Sequence, residues 1–152
     1  MRICSLVPGA TEVVAALGLA DQLIGISHEC DFPPHLAHIP VMVRARLEDR
    51  ALSSAQIDAQ VGTMLSAGEG LYELDEPRLL AGNPELLITQ DLCDVCAITP
   101  TQLTAVLRKL MTPPRMVTLN PRRLDDILRD IAMLGAALGR EEAIRRSTPQ
   151  QT

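Results

Sequence analysis

Arg2-Ile3-Cys4-Ser5-Leu6-Val7-Pro8-Gly9-Ala10-Thr11-Glu12 opens the chain with a short apolar run, a proline-glycine turn and the start of a helical pattern. Ile3 to Val7 reads as a strand. Thr11 to Leu19 places Val13, Val14 and Leu17 at helical spacing and closes at Gly18. The same order of strand, turn and helix recurs downstream. Leu23-Ile24-Gly25-Ile26 is a second short apolar run that feeds the polar, proline-marked segment Ser27 to Pro34, and Val41-Met42-Val43 is a weaker third strand. Ser53-Ser54 predicts a cap for a helix from Ala55 to about Ser66, with Ile57, Val61, Met64 and Leu65 on its apolar face. Pro77 fits the first turn of a short helix through Leu80, and Leu86-Leu87-Ile88-Thr89 carries the clearest buried-strand signal. Thr99-Pro100 opens a helix with Leu103, Val106, Leu107 and Leu110 at spacings of three and four, and Met116 to Leu119 is a last strand. From Arg122 a long amphipathic helix carries Leu124, Ile127, Leu128, Ile131, Leu134 and Leu138 on one face, and the polar tail 147–152 should fray.

Strands alternating with helices predict an α/β fold, a parallel Rossmann-like sheet with helices on both faces, followed by the long helix. Ligands of such sheets sit at the carboxyl ends of the strands. The loops at that edge are Pro8 to Thr11, Ser27 to Pro34, Arg44 to Arg46 and Gln90 to Ile98.

Composition narrows the function. The 152 residues hold 14 Lys plus Arg against 19 Asp plus Glu, a net charge of −5, with one Phe, one Tyr and no Trp among 47% apolar residues. A core of this size needs neither disulfides nor metal. The scarcity of rings and the acidic balance exclude a base-stacking or phosphate-tracking nucleic-acid surface. No run approaches the roughly 18 apolar residues a membrane span requires, and the opening apolar run is too short for a signal peptide, so the chain as given reads as cytoplasmic.

Three of the four cysteines and one of the three histidines fall in two of the ligand-edge loops, as His28-Glu29-Cys30 and Cys93-Asp94-Val95-Cys96. Brought together, His28, Cys30, Cys93 and Cys96 would supply one imidazole and three thiolates, a set suited to zinc. Free thiols packed under a loop and a disulfide are the alternatives. Cys4, inside the first strand, is core. Pro8-Gly9-Ala10-Thr11 puts a glycine turn and a hydroxyl at a helix start, where free N–H groups accept an anion, although Thr11 as a plain helix cap explains the same residues. Of Arg44 and Arg46 one is expected to face the cleft. Phe32 and Tyr72 are the only rings for a planar ligand, and each serves equally well as an edge-packed core ring. His35 and His38 read as solvated, and Glu73, Asp75 and Glu76 as favouring a helix start. No nucleophile elbow, P-loop, dinucleotide fingerprint or His-Glu-x-x-His is present, so the chain is not expected to be an enzyme.

Taken together, residues 2–12, Gly25-Ile26-Ser27-His28-Glu29-Cys30-Asp31-Phe32-Pro33-Pro34 and Leu86-Leu87-Ile88-Thr89-Gln90-Asp91-Leu92-Cys93-Asp94-Val95-Cys96 resemble the cobalamin-binding branch of the helical-backbone periplasmic-binding proteins. These are substrate receptors of ABC importers for cobalamin and iron-siderophores. The resemblance implies an amino-terminal lobe over 1–120, a backbone helix over 121–146 leading to a second lobe that this chain is expected to lack, a periplasmic or cell-surface location, and an ABC permease as partner. It implies cobalamin or an iron-siderophore-like compound as candidate ligand, with no further cofactor required, and ligand contacts from Pro8, Gly9, Ala10, Thr11, His28, Arg44, Gln90, Asp91 and Leu92. Gly9 departs from the serine usual in this subgroup and removes one hydroxyl donor, and no carboxylate for docking on a permease is evident near Thr101-Gln102. A single lobe is expected to bind cobalamin weakly. An uncovered patch at Leu134, Leu138 and Ile144 is expected to drive a homodimer through the long helix. The rival reading is a cytoplasmic metal-binding or thiol-redox module built on the cysteine loops.

Overall fold

The computed structural model describes residues 1–47, 52–67, 70–90 and 100–147. Six strands, β1 (Ile3–Ser5), β2 (Leu23–Ser27), β3 (Val41–Ala45), β4 (Tyr72–Leu74), β5 (Leu86–Gln90) and β6 (Arg115–Leu119), form one sheet in the order β4-β3-β2-β1-β5-β6. All neighbours are parallel except β3 and β4. The expected α/β class and parallel sheet are therefore present. The helices are α1 (Pro8–Ala16), α2 (Ser54–Ser66), α3 (Glu76–Gly82), α4 (Pro100–Leu107), α5 (Leu124–Ala137) and α6 (Glu141–Ser147).

Two apolar layers sandwich the sheet. Ile3, Ile26, Leu86, Ile88, Val117 and Leu119 pack with Val14 of α1 and Leu134 of α5 on one face. Cys4, Met42 and Leu87 meet Leu79 of α3 and Leu103 and Val106 of α4 on the other. That alternation is why the central strands read as continuous apolar runs, since both of their faces are covered. Gly25 makes the second layer close. A Cβ there would lie 2.5 Å from Cγ and Cε of Met42, so Met42 lies directly over β2.

The helix ends follow local chemistry. Ser53 and Gln56 form a reciprocal capping box at α2, Asp75 accepts from the Arg78 N–H at α3, and the Asp126 carboxylate accepts from the Arg122 and Arg123 N–H groups ahead of α5. No side chain caps α1 at Val7, and α2 holds no buried residue.

Three expectations need correction. The first helix begins at Pro8, so Thr11 lies inside it rather than capping it. The third strand runs on through Arg44 and Ala45, because β4 pairs with it and sets Arg44 opposite Glu73. The long helix is broken: Gly139 has φ of +64°, a left-handed conformation that glycine adopts without strain, and α6 folds back so that Ile144 packs against Gly135. As a result Leu134 and Leu138 are buried and Ile144 is half-buried, and the exposed apolar residues of α5 are Leu124, Ile127, Leu128 and Met133. The dimer face expected at Leu134, Leu138 and Ile144 is not there. Among the described residues no helix is long and apolar enough to cross a membrane.

Candidate functional site

The chain lays β1, β2 and β3 in one direction across the sheet and then returns to place β5 and β6 on the other side of β1. The strand order reverses between β1 and β5, with α1 on one face of the sheet and α4 on the other, and open α/β sheets bind ligands in a crevice at the carboxyl ends beside such a switch point. Here it takes the form of a groove of about 170 Å³ between α1 and α5. Gly9, Ala10 and Gln90 line it, joined by Val7, Val13, Leu119, Ile127 and Ile131. Pro8 starts the uncapped α1 beside them.

Asp130 also lines this groove. Its Oδ2 is sealed from solvent and has no hydrogen-bond partner among the described residues. Loss of solvation, reinforced by the negative charge of Asp126, pushes the Asp130 carboxyl up from its ordinary value, against the opposing pull of Arg129. Asp130 is the residue the sequence reading missed. Its signal was a carboxylate set among Ile127, Ile131 and Leu134, at helical spacing within the apolar stripe itself.

A second cluster lies beyond β2. The His28 N–H donates to the Val43 carbonyl (3.0 Å), and the His28 ring is held by Nδ1 near that same oxygen (3.1 Å) and by Nε2 near Glu29 Oε1 (3.0 Å). Tyr72 of β4 tilts against it, with ring centroids 5.9 Å apart. Phe32 is 59% exposed. Arg44 and Arg46 are exposed at the end of β3, and Arg46, Tyr72, Glu73 and Gln102 line a more polar depression between β4 and α4.

Thr11 does not reach the cleft. It is fully buried, with Oγ1 2.8 Å from Ser5 Oγ, 3.0 Å from the Val7 carbonyl and 3.2 Å from Cys30 Sγ. The residue expected to touch ligand instead ties β1, α1 and the loop after β2 together. Cys30 is 6% exposed, and burial pushes its thiol up although bonds from Thr11 and Ser27 oppose the shift. Burial pushes the Cys4 thiol up as well, consistent with its core position. Of the proposed metal set, His28 has both ring nitrogens engaged and Cys30 faces Thr11, while Cys93 and Cys96 lie outside the described residues, as do Asp91 and Leu92. Among the described residues no group of three or more His, Cys, Asp or Glu is placed to hold a metal. His35 and His38 are exposed, with His38 Nδ1 2.8 Å from the His35 carbonyl.

The fold is one found in periplasmic substrate-binding proteins. A periplasmic heme-binding protein from Pseudomonas aeruginosa superimposes with a TM-score of 0.67 at 20% identity over 95% of this chain and 40% of its own. The periplasmic heme-binding protein RhuT from Roseiflexus sp. RS-1 gives 0.66 at 23% identity over 95% and 43%. The periplasmic vitamin B12 binding protein BtuF of Vibrio cholerae gives 0.61 at 21% identity over 95% and 47%. The chain spans less than half the length of each of these. No protein-family model and no curated sequence matches it.

Proposed function

We propose that this chain is a ligand-binding lobe of an ABC importer's substrate-binding protein, acting by capture and release without chemical turnover, and that its ligand is a metal-bearing tetrapyrrole, cobalamin first. The observation that carries the reading is the apolar groove between α1 and α5, lined at the carboxyl end of the sheet by Gly9 and Ala10 of the first turn of α1 and by Gln90, in a fold shared with proteins named for heme and vitamin B12. His28, Tyr72 and Arg44 stand at the same edge of the sheet and extend the surface a large flat ligand would cover. An importer partner and a periplasmic site of action follow from the same reading.

Titration of the purified chain with cobalamin and, separately, with heme, followed by visible absorption, is the test. A saturable spectral change with cobalamin supports the reading, and saturation by heme alone moves the ligand within the class. The absence of saturation with either would remove it. Metal analysis of the same sample addresses the rival: about one zinc per chain, lost together with the fold on chelation, would favour a cysteine-loop metal module.

A further inference from the structure

The depression between β4 and α4 lies on the other face of the sheet from the α1–α5 groove, and it is the larger of the two, about 310 Å³ against about 170 Å³. All three residues of β4 line it. Glu73 does so although its side chain alternates away from those of Tyr72 and Leu74, so the cavity reaches the backbone of the strand. The facing wall is one side of α4, with Gln102, Ala105 and Val106 at spacings of three and four.

β4 ends the sheet, with β3 as its one neighbour among the described strands. The Arg46 N–H donates to the Leu71 carbonyl (2.9 Å), the Asp75 N–H donates to the Met42 carbonyl (2.8 Å), and Arg44 stands opposite Glu73. Leu71, Glu73 and Asp75 therefore face β3, whereas Tyr72 and Leu74 turn their N–H and C=O groups outward. Those of Leu74 meet no partner among the described residues. A strand edge that faces a helix across a groove is suited to take up an extended peptide as one more strand. Charge gives that peptide a direction. At the Leu71 end Arg46 is exposed and makes no ion pair among the described residues, while beyond Leu74 the Glu76 carboxylate is already matched by Lys109. A peptide antiparallel to β4 would end at the unmatched cation.

We propose that this groove binds the extended carboxyl-terminal segment of a partner chain, added antiparallel to β4, with its terminal carboxylate at Arg46. Peptide residues opposite Tyr72 and Leu74 send their side chains to the α4 side, against Ala105 and Val106. A volume of about 310 Å³ is twice the roughly 150 Å³ that holds one benzene molecule, enough for those two side chains when both are apolar. The proposal does not depend on the tetrapyrrole reading, whose groove lies on the opposite face.

The probe is a hexapeptide of alternating threonine and valine with a fluorescent label at its amino end and a free carboxylate at the other. Its polarisation should saturate below about 1 mM, and hydrogen exchange of the Leu74 amide should slow as it does. N-methylation of alternate peptide amides should abolish binding in one phase, where the amides face β4, and leave it in the other. A terminal carboxamide and Arg46→Gln should each weaken binding about tenfold, and the two together no further, because both remove one contact. Ala105→Phe, at an exposed position, should fill the groove and block the peptide, with the thermal melt showing that the fold persists. Equal loss in both N-methyl phases, an unchanged Leu74 amide, or no saturation overturns the proposal. Protection of Leu74 that rises with protein concentration in the absence of peptide also overturns it, since a second copy of the chain would then hold the edge.

Discussion

At the amino edge of the sheet the residues leading into β1 and β5 are tied together, whereas at the carboxyl edge one carboxylate oxygen meets no donor among the described residues. The Arg2 N–H donates to Glu85 (2.7 Å), the Arg2 Nε donates to the Asn83 carbonyl (2.8 Å), and the Arg2 carbonyl accepts from the Glu85 and Leu86 N–H groups. The Glu85 carbonyl in turn accepts from Arg115 at the start of β6. The other edge has an uncapped α1, exposed Arg44 and Arg46, and Asp130. Both edges belong to the same strands. The difference teaches that one end of these strands is closed by reciprocal hydrogen bonds, while the other buries an acceptor that no described donor meets.

The largest effect is expected where the edges share a strand. Ile88 is fully buried at the centre of β5, so Ile88→Ala should cost about 2–5 kcal/mol in chemical denaturation. Hydrogen-exchange protection should fall at both edges in one transition. Loss confined to the carboxyl edge would break the comparison by showing two separately stable parts.

Next comes Thr11, the anchor beneath the open edge. Thr11→Val keeps the volume but removes the hydroxyl's bonds to Ser5, Cys30 and the Val7 carbonyl, and should cost about 1–3 kcal/mol. If the hydroxyl were instead a ligand contact, this variant would keep its stability and lose binding. A denaturation curve alongside a cobalamin titration separates the two.

Much of this arrangement is legible in the residues. The strands covered on both faces, β1, β2 and β5, show as apolar runs because neither face meets water, whereas β6 buries only Val117 and Leu119 on one face. The edge strand β4 has no such signature: Tyr72-Glu73-Leu74 is three residues long with a carboxylate at its centre, and it exists because β3 pairs with it. The break at Gly139 is hidden because the apolar period continues into Ile144, and only a return of α6 onto Gly135 distinguishes a bent helix from a straight one. Thr11 was assigned to the cleft because Pro8-Gly9 reads as a turn, yet proline at the first helical position starts the helix three residues earlier and rotates Thr11 inward. Asp130 was missed because a single acid in an apolar stripe is ordinary until its partners are counted.

A smaller effect sharpens the contrast through pH. The Asp130 carboxyl is raised chiefly by desolvation, so the folded state holds its proton more tightly than the unfolded chain does. Its contribution favours the fold below the ordinary aspartate range and is lost as pH rises through the raised value. Asp130→Asn should therefore melt at a higher temperature than the parent near neutral pH, and the gap should close on acidification below that ordinary range. A gap that widened in acid would mean that Asp130 gains a partner in solution and that the edge is not open.

Glu85 should give the smallest effect and the opposite sign. The Arg2 N–H bond, then the Arg2 charge, hold its carboxyl below the ordinary glutamate value, so the unfolded chain binds its proton more tightly than the fold does. This contribution is fully present above the ordinary value and is lost as pH falls through the lowered one. Because both side chains are about half exposed and the ion pair spans 3.8 Å, salt and solvent screen it, and the shift in melting temperature for Glu85→Gln should be small at neutral pH. In acid the variant and the parent should converge, and at neutral pH Glu85→Gln should be the less stable, the reverse of Asp130→Asn. Thermal melts of the two variants across the same acid range, at low and high salt, make the decisive pair. Two carboxylates at opposite ends of the sheet that moved with the same sign would show that both edges are finished alike, and the open edge would lose its claim to a ligand.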